Sequence, residues 1–163
     1  MTNTPRQILH LWDFGWCDHN TIIVPPIHKP SDMVQYYLNH DAFYSSFVGP
    51  NNDYTDDIHG PFWKSLISES DFEQINQEQF LFHIGAIRHP TEWETAVPHD
   101  QWDCALELAC QIASRNTWCF RLVPNETCGD RFHDWGYVLD LFREFIFSNP
   151  NTKTIERLIF GYD

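Results

Sequence analysis

DQWDCALELACQIAS (residues 100–114), followed after two residues by TWCFRLV (117–123), decides how this chain is read. Trp102, Ala105, Leu106, Ala109, Ile112 and Ala113 recur at helical spacing, and the next segment carries the β-branched and aromatic residues of a strand. The pattern then repeats. Trp135, Val138, Leu139, Phe142, Phe145 and Ile146 predict a second helix from 131 that Asn149-Pro150 ends, and TIERLIFGYD (154–163) predicts a closing strand. A helix between two strands implies a right-handed parallel crossover, since antiparallel neighbours need only a short turn. The expected fold class is therefore α/β: a three-layer α/β/α domain with a mostly parallel central sheet built from 80–87, 117–123 and 154–161.

Working outward, FLFHIGAI (80–87) is nearly continuous in apolar residues, as a strand buried on both faces should be. QILHLW (7–12) and TIIV (21–24) are candidate first strands, the second stopped by Pro25-Pro26. Ser31 is placed to cap a helix with Asp32 in its first turn, and Met33, Tyr36, Tyr37, His40, Phe43, Tyr44 and Phe47 give it an aromatic core face closed by Gly49-Pro50. Phe62, Trp63, Leu66 and Ile67 suggest a short helix, and Ser70 caps another over DFEQINQEQ. NNDYTDDIHGP (51–61) reads as a solvated acidic loop. Its Asp53, Asp56, Asp57 and His59 do not follow the calcium-loop spacing. His83, inside the apolar run, reads as a core histidine.

At 163 residues the chain fits one domain, 1–163, which should bury roughly 70% of the surface its unfolded form exposes. Its aromatic content, 16%, excludes disordered and collagen-like classes. No apolar run reaches a membrane span and the first residues lack a signal-peptide core, so a cytoplasmic location is expected. Five cysteines without a CxxC pair suggest neither a disulfide framework nor a zinc knuckle. The net charge of −13 repels nucleic acid and anionic membrane; it suits a basic protein partner, or solubility alone.

No hydrolase elbow, Walker loop, dinucleotide fingerprint or HExxH motif is present, and no cofactor or metal is implied. PNETCGDRFHDW (124–135) joins a strand end to a helix start, where free backbone amides and a glycine can hold a phosphate. Asn125, Thr127, Cys128, Gly129 and Arg131 are the candidate ligand residues there. Cys128 beside the positive end of a helix would have thiolate character, but no base partner stands out. An ordinary connection capped by Asp130 explains the same residues.

With LHLWDFG, NTIIVPP, QFLFHIGAI, TWCFRLVP, NETCGD and TIERLIFGYD in that order, the chain resembles a very divergent macro domain, the ADP-ribose-binding fold. The resemblance implies that Asp13 holds the adenine amino group, that Thr127, Cys128 and Gly129 face the phosphates, and that Tyr162 stacks on adenine. Where the family has an Asn-Ala-Ala-Asn run, this chain has Val24-Pro25-Pro26-Ile27, so the resemblance implies a module that recognises ADP-ribose or a related nucleotide without hydrolysing it. The second expectation is a non-enzymatic inhibitor, such as a bacterial toxin-immunity protein, that blocks a basic partner through an acidic, aromatic surface.

Overall fold

The computed structural model describes residues 6–12, 15–44, 58–88, 99–123 and 141–162. A six-stranded sheet organises them. Strands β1 (Arg6–Trp12), β2 (Gly15–Ile23), β5 (Phe72–Ile75), β6 (Trp118–Leu122), β7 (Leu141–Ser148) and β8 (Thr154–Tyr162) stand in the order β1-β2-β8-β7-β6-β5. Every pairing is antiparallel. This overturns the mostly parallel three-layer α/β/α expectation.

The expected parallel crossover into β6 is replaced by an antiparallel pairing for a countable reason. Between β5 and β6 the chain forms two helices, α3 (Gln77–Arg88) and α4 (His99–Arg115). One helical pass returns a chain to the opposite end of the sheet; two passes bring it back to the end it left. Ile75, the last residue of β5, accordingly pairs with Cys119 near the start of β6. From there β7 and β8 follow as antiparallel neighbours.

Two segments change type. Residues 80–87, expected as a central strand, belong to α3: Phe80, Ile84 and Ile87 are buried at i, i+4 and i+7, while Leu81 and Phe82 face solvent. A short apolar run has both a strand and a buried-helix reading, and the deciding signal is its cap. The Asn76 side chain accepts from the Gln79 backbone N–H and the Gln79 side chain accepts from that of Asn76, both at 2.8 Å, which starts a helix immediately afterwards. Conversely, 141–148 of the expected second helix is β7. Phe142 and Ile146 are buried, but on one side of a strand, with Phe145 and Phe147 on the other. Trp135, Val138 and Leu139 lie outside the described residues. Asn149-Pro150 ends a strand here, and Asn151 takes φ 61° in the tight turn to β8.

Smaller corrections follow the same logic. FEQI forms β5 where a Ser70-capped helix was expected, after a 3-10 turn (Glu69–Asp71) whose start is fixed by Ser68 N–H to Asp71 at 2.8 Å. Phe62–Trp63 is β4, paired with β3 (Ile58–His59), and only Lys64–Leu66 turns helically. Of the short strand expected at 21–24, Thr21, Ile22 and Ile23 are the end of the nine-residue β2, and Val24 lies just beyond it. Helix α1 (Pro30–Leu38) starts one residue before the expected cap, with Asp32 accepting from the Lys29 N–H, and α2 (Asp41–Tyr44) follows it.

α3 and α4 pack on one side of the sheet over Cys17, Cys119, Phe145, Phe147, Leu158 and Phe160. The other side is covered by α1, α2 and the β3-β4 hairpin over Trp16, Ile22, Phe120, Phe142, Ile146 and Ile159. Trp102 is buried as expected from the α4 face, and Leu106 is half-buried beside it. None of the helices among the described residues is long and apolar enough to cross a membrane.

Packing is tight at Gly161, which lies opposite Trp16 on β2: a Cβ there would sit 2.0 Å from the indole ring. Gly85, in the middle of α3, has nothing within 4 Å of such a Cβ. Gly161→Ala should therefore lower unfolding free energy by about 1–3 kcal/mol through overpacking. Gly85→Ala should raise it by up to about 1 kcal/mol through helix propensity. Urea melts of the two variants give the comparison, and equal midpoints would refute this packing at Trp16.

Candidate functional site

Charged residues in a strand's inward row mark where an apolar pattern has been interrupted for a reason. β7 and β8 each do this once. Glu144 stands between Phe142 and Ile146, and Arg157 between Ile155 and Ile159, all on the α1 side. In register, Asp18, Ile159 and Glu144 form one row across three strands, and Asn20, Arg157 and Ile146 form the next. Arg157 is thus diagonal to two carboxylates. It bonds Asp18 Oδ2 at 3.3 Å and the Ala42 carbonyl at 2.9 Å, while Arg6 Nε donates to Asp18 Oδ1 at 2.9 Å.

Two residues descend onto Glu144 from outside the sheet. Tyr37, from α1, donates its hydroxyl to Oε1, and His59, from β3, bonds Oε2 through Nε2. The other imidazole nitrogen, Nδ1, meets the Phe43 carbonyl at 3.1 Å. Tyr37, His59 and Glu144 are all fully buried. His59 is stacked on Phe43, with ring centroids 4.4 Å apart.

Burial alone would push the Glu144 carboxyl up, but His59, Arg157 and the Tyr37 hydroxyl outweigh it and hold it below the usual carboxylate range. Burial, and then the Glu144 charge, push the Tyr37 phenol well up. With Glu144 ionised, both ring nitrogens of His59 face acceptors, the Glu144 carboxylate and the Phe43 carbonyl. A His–carboxylate pair is the usual apparatus of acid–base catalysis. Here, however, neither the imidazole nor the carboxylate exposes an atom to a substrate, so the cluster holds the fold together.

Other polar contacts lie on the α3 side of the sheet and at the end of α4. On the α3 side, Arg121 NH1 lies 2.8 Å from His83 Nδ1, and its NH2 lies 3.7 Å from Glu73. Burial, then Arg121, lowers the His83 pKa, which suits a neutral ring accepting from the guanidinium. His83 is thus a half-buried helix residue and not a strand-core histidine. At the end of α4, Arg115 grips Glu156 through Nε (2.9 Å) and NH2 (2.5 Å), and Asn116 adds a bond of 2.7 Å. Burial opposes ionisation of Glu156, yet His19, Arg115 and Asn116 lower its pKa to about 2. A small cleft between Ile75, Phe80, Asn116, Thr117 and Phe147 has Cys119 in its wall. Burial pushes that thiol up, so it is no nucleophile.

Of the residues expected to bind a ligand, Asp13, Asn125, Thr127, Cys128, Gly129 and Arg131 lie outside the described residues. Tyr162 is described: it is half-buried and packs on the edge of the α3/α4 core. It pairs with Gly15 on one side and Leu141 on the other. The described residues flanking 13–14 and 124–140 therefore emerge at one end of the sheet, brought there by antiparallel register rather than by parallel strands. His59, expected in a solvated loop, is instead fully buried. Tyr37 was expected only as core, and Glu144 and Arg157 carried no expectation at all. Reading LFREFIF and TIERLIF with period two would have shown both charges facing inward. No three His, Cys, Asp or Glu side chains among the described residues converge as a metal site.

Compared with known protein families, curated proteins and solved structures, the chain matches none. Its function has to be argued from its own residues.

Neutralising Glu144 takes the carboxylate from between Tyr37 and His59 and leaves Asp18 to balance the buried Arg157. Glu144→Gln should cost about 3–5 kcal/mol, and Tyr37→Phe about 1–3 kcal/mol. The pH dependence has a fixed sign. Carboxyls held low in the folded state contribute stability above their unfolded pKa, and that contribution disappears as pH falls through the folded value. Stability should fall as pH drops from about 5 towards 2, and Glu156→Gln should flatten part of the fall. Parallel pH profiles for the parent and Glu156→Gln would show that Glu156 is not held low.

Proposed function

We propose that this chain is a non-enzymatic binding protein that engages, and by covering it blocks, a basic protein partner. One observation supports this above the others. At least five of the ten Lys and Arg residues, namely Arg6, Lys29, Arg115, Arg121 and Arg157, already stand within ion-pair distance of a carboxylate of the same chain. Twenty-three acidic residues against ten basic ones leave the outer field negative, and internal pairing concentrates that imbalance in the unpaired carboxylates. Such a field accelerates encounter with a positive surface and repels polyanions. The burial of the His59–Glu144 pair points the same way, since it withdraws that acid–base pair from any substrate.

The inhibitor reading, of which a toxin-immunity protein is one form, needs nothing from the fold beyond a stable acidic surface. The nucleotide reading loses the parallel-strand argument that gave the 124–131 loop its place at a carboxyl edge. Its loop residues are outside the described part of the chain.

To test this, the immobilised chain is equilibrated with extract of the cells that produce it. Whatever elutes with salt is purified, and its affinity is measured directly. A protein of net positive charge, whose affinity weakens roughly tenfold between about 0.05 M and about 0.5 M salt, is the expected result. In parallel, ADP-ribose is titrated in a thermal melt. A ligand at 100 times its Kd would stabilise the fold by about 2.7 kcal/mol. Such a shift, with no basic protein captured, would overturn the proposal in favour of the nucleotide.

A further inference from the structure

Beyond its polar first turn, the outward side of α3 is apolar where a solvated helix should be polar. Phe82 is 74% exposed and Leu81 39%, and Gly85 and Ala86 beside them are exposed as well. The inward side is complete without them, since Phe80, Ile84 and Ile87 supply the core contacts. Gly85 is the less expected residue. A glycine in mid-helix costs stability, and its usual reason, close approach of another part of the same chain, is absent among the described residues, where a Cβ would meet nothing. An exposed aromatic next to a gap of this kind suits the approach of a second molecule.

α4 lies on the same side of the sheet, packed against α3 through a shared core. Its solvent side carries Asp100, Asp103 and Glu107, at i, i+3 and i+7, all exposed. The one basic residue that α4 exposes near its end, Arg115, is held by Glu156. Apolar and acidic faces thus stand side by side on one helical layer. A second copy of this chain would bring the same charge towards itself, and nucleic acid or an anionic membrane would be repelled. The charge pattern selects a cationic protein surface with an apolar depression at its centre.

We propose that the outer face of α3 and α4 is the docking surface for the basic partner, with Phe82 as the apolar anchor and the Asp100–Asp103–Glu107 line as its acidic flank. This rests on the binding function proposed above and adds where on the molecule it occurs. Gly85 lets the partner approach the α3 backbone. Phe82, desolvated at the centre of the contact, carries most of the affinity, and the acidic line sets the association rate and its salt dependence.

The experiment places the photo-crosslinker p-benzoylphenylalanine at position 82, or at Gln35 on α1 across the sheet, in the cells that produce the protein. The crosslinked protein is then purified and its affinity measured for variants. The expected result is an adduct with a basic protein from position 82 and none from position 35. Affinity should fall about tenfold or more for Phe82→Ala, and Asp103→Lys should mainly slow association and reduce its salt dependence. Gly85→Gln should weaken binding too, although it is expected to melt no lower than the parent, which separates lost contact from lost fold. An adduct from position 35, with affinity unchanged by Phe82→Ala, would overturn this surface and leave the binding function standing. An adduct at position 82 with a second copy of the chain would overturn it in favour of self-association. Absence of any adduct at either position, together with no salt-sensitive binding, would overturn both proposals.

Discussion

The placement of Arg157 between Asp18 and Glu144 is the constraint around which the structure is arranged. Through these three residues β2, β8 and β7 are tied across their rows, Arg6 ties in β1, the Ala42 carbonyl ties in α2, and Tyr37 and His59 tie in α1 and β3. The apolar pattern alone does not select this arrangement. Sliding β8 by two residues against β2 would keep every side chain on its own side of the sheet, because the period is two. It would also separate Arg157 from Asp18 and leave buried charges uncompensated, at a cost of several kcal/mol. The polar knot thus specifies register where hydrophobicity is indifferent to it.

The same knot shapes the surface. Two arginines are engaged by Asp18, and two more are engaged by Glu156 and Glu73, so a large share of the chain's few cations never presents a free charge. The balance that reaches solvent is acidic, and on α4 Asp100, Asp103 and Glu107 form an ordered line in the same helical layer as the exposed Phe82 of α3. Internal pairing and outward recognition are therefore two results of one distribution of charge.

How much of this could be read from residues alone depended on length and on parity. α4 was legible because seventeen residues give its period time to establish itself, and β8 because TIERLIF is rich in β-branched residues. α3 and β7 were misread in opposite directions. FLFHIGAI is apolar on consecutive positions, so only the Asn76–Gln79 cap distinguishes helix from strand. LFREFIF offers apolar residues at both helical and strand spacing, and its aromatic and β-branched content was the better guide. Those two exchanges, combined with the assumption of a single helical pass, turned an antiparallel sheet into a parallel one. The buried cluster was illegible for a different reason. Tyr37, His59, Glu144 and Arg157 come from four separate elements, and nothing in local sequence says that a histidine among aspartates will be drawn inside by a glutamate 85 residues away.

The two sides of the sheet answer differently to change, and that difference bears on where recognition can reside. On the α1 side Asp18, Tyr37, His59, Glu144 and Arg157 are joined by specific hydrogen bonds, so a single substitution among them leaves a buried charge or donor unmet. On the α3/α4 side the contacts between helices and sheet are mainly Phe, Ile, Leu and Ala, whose cost of alteration scales with volume and is partly relieved by repacking. The outer positions of α3 and α4 contribute least to either. Phe82, Gly85, Asp103 and Glu107 touch neither the knot nor the apolar core, so they are free to be selected for what they meet outside the molecule. Stability gives no reason for an exposed phenylalanine beside a mid-helix glycine, since a polar residue at 82 and an alanine at 85 would serve the monomer better. Retaining both at a stability cost is what a surface used for binding requires, and it places recognition on the layer of the fold best able to tolerate it.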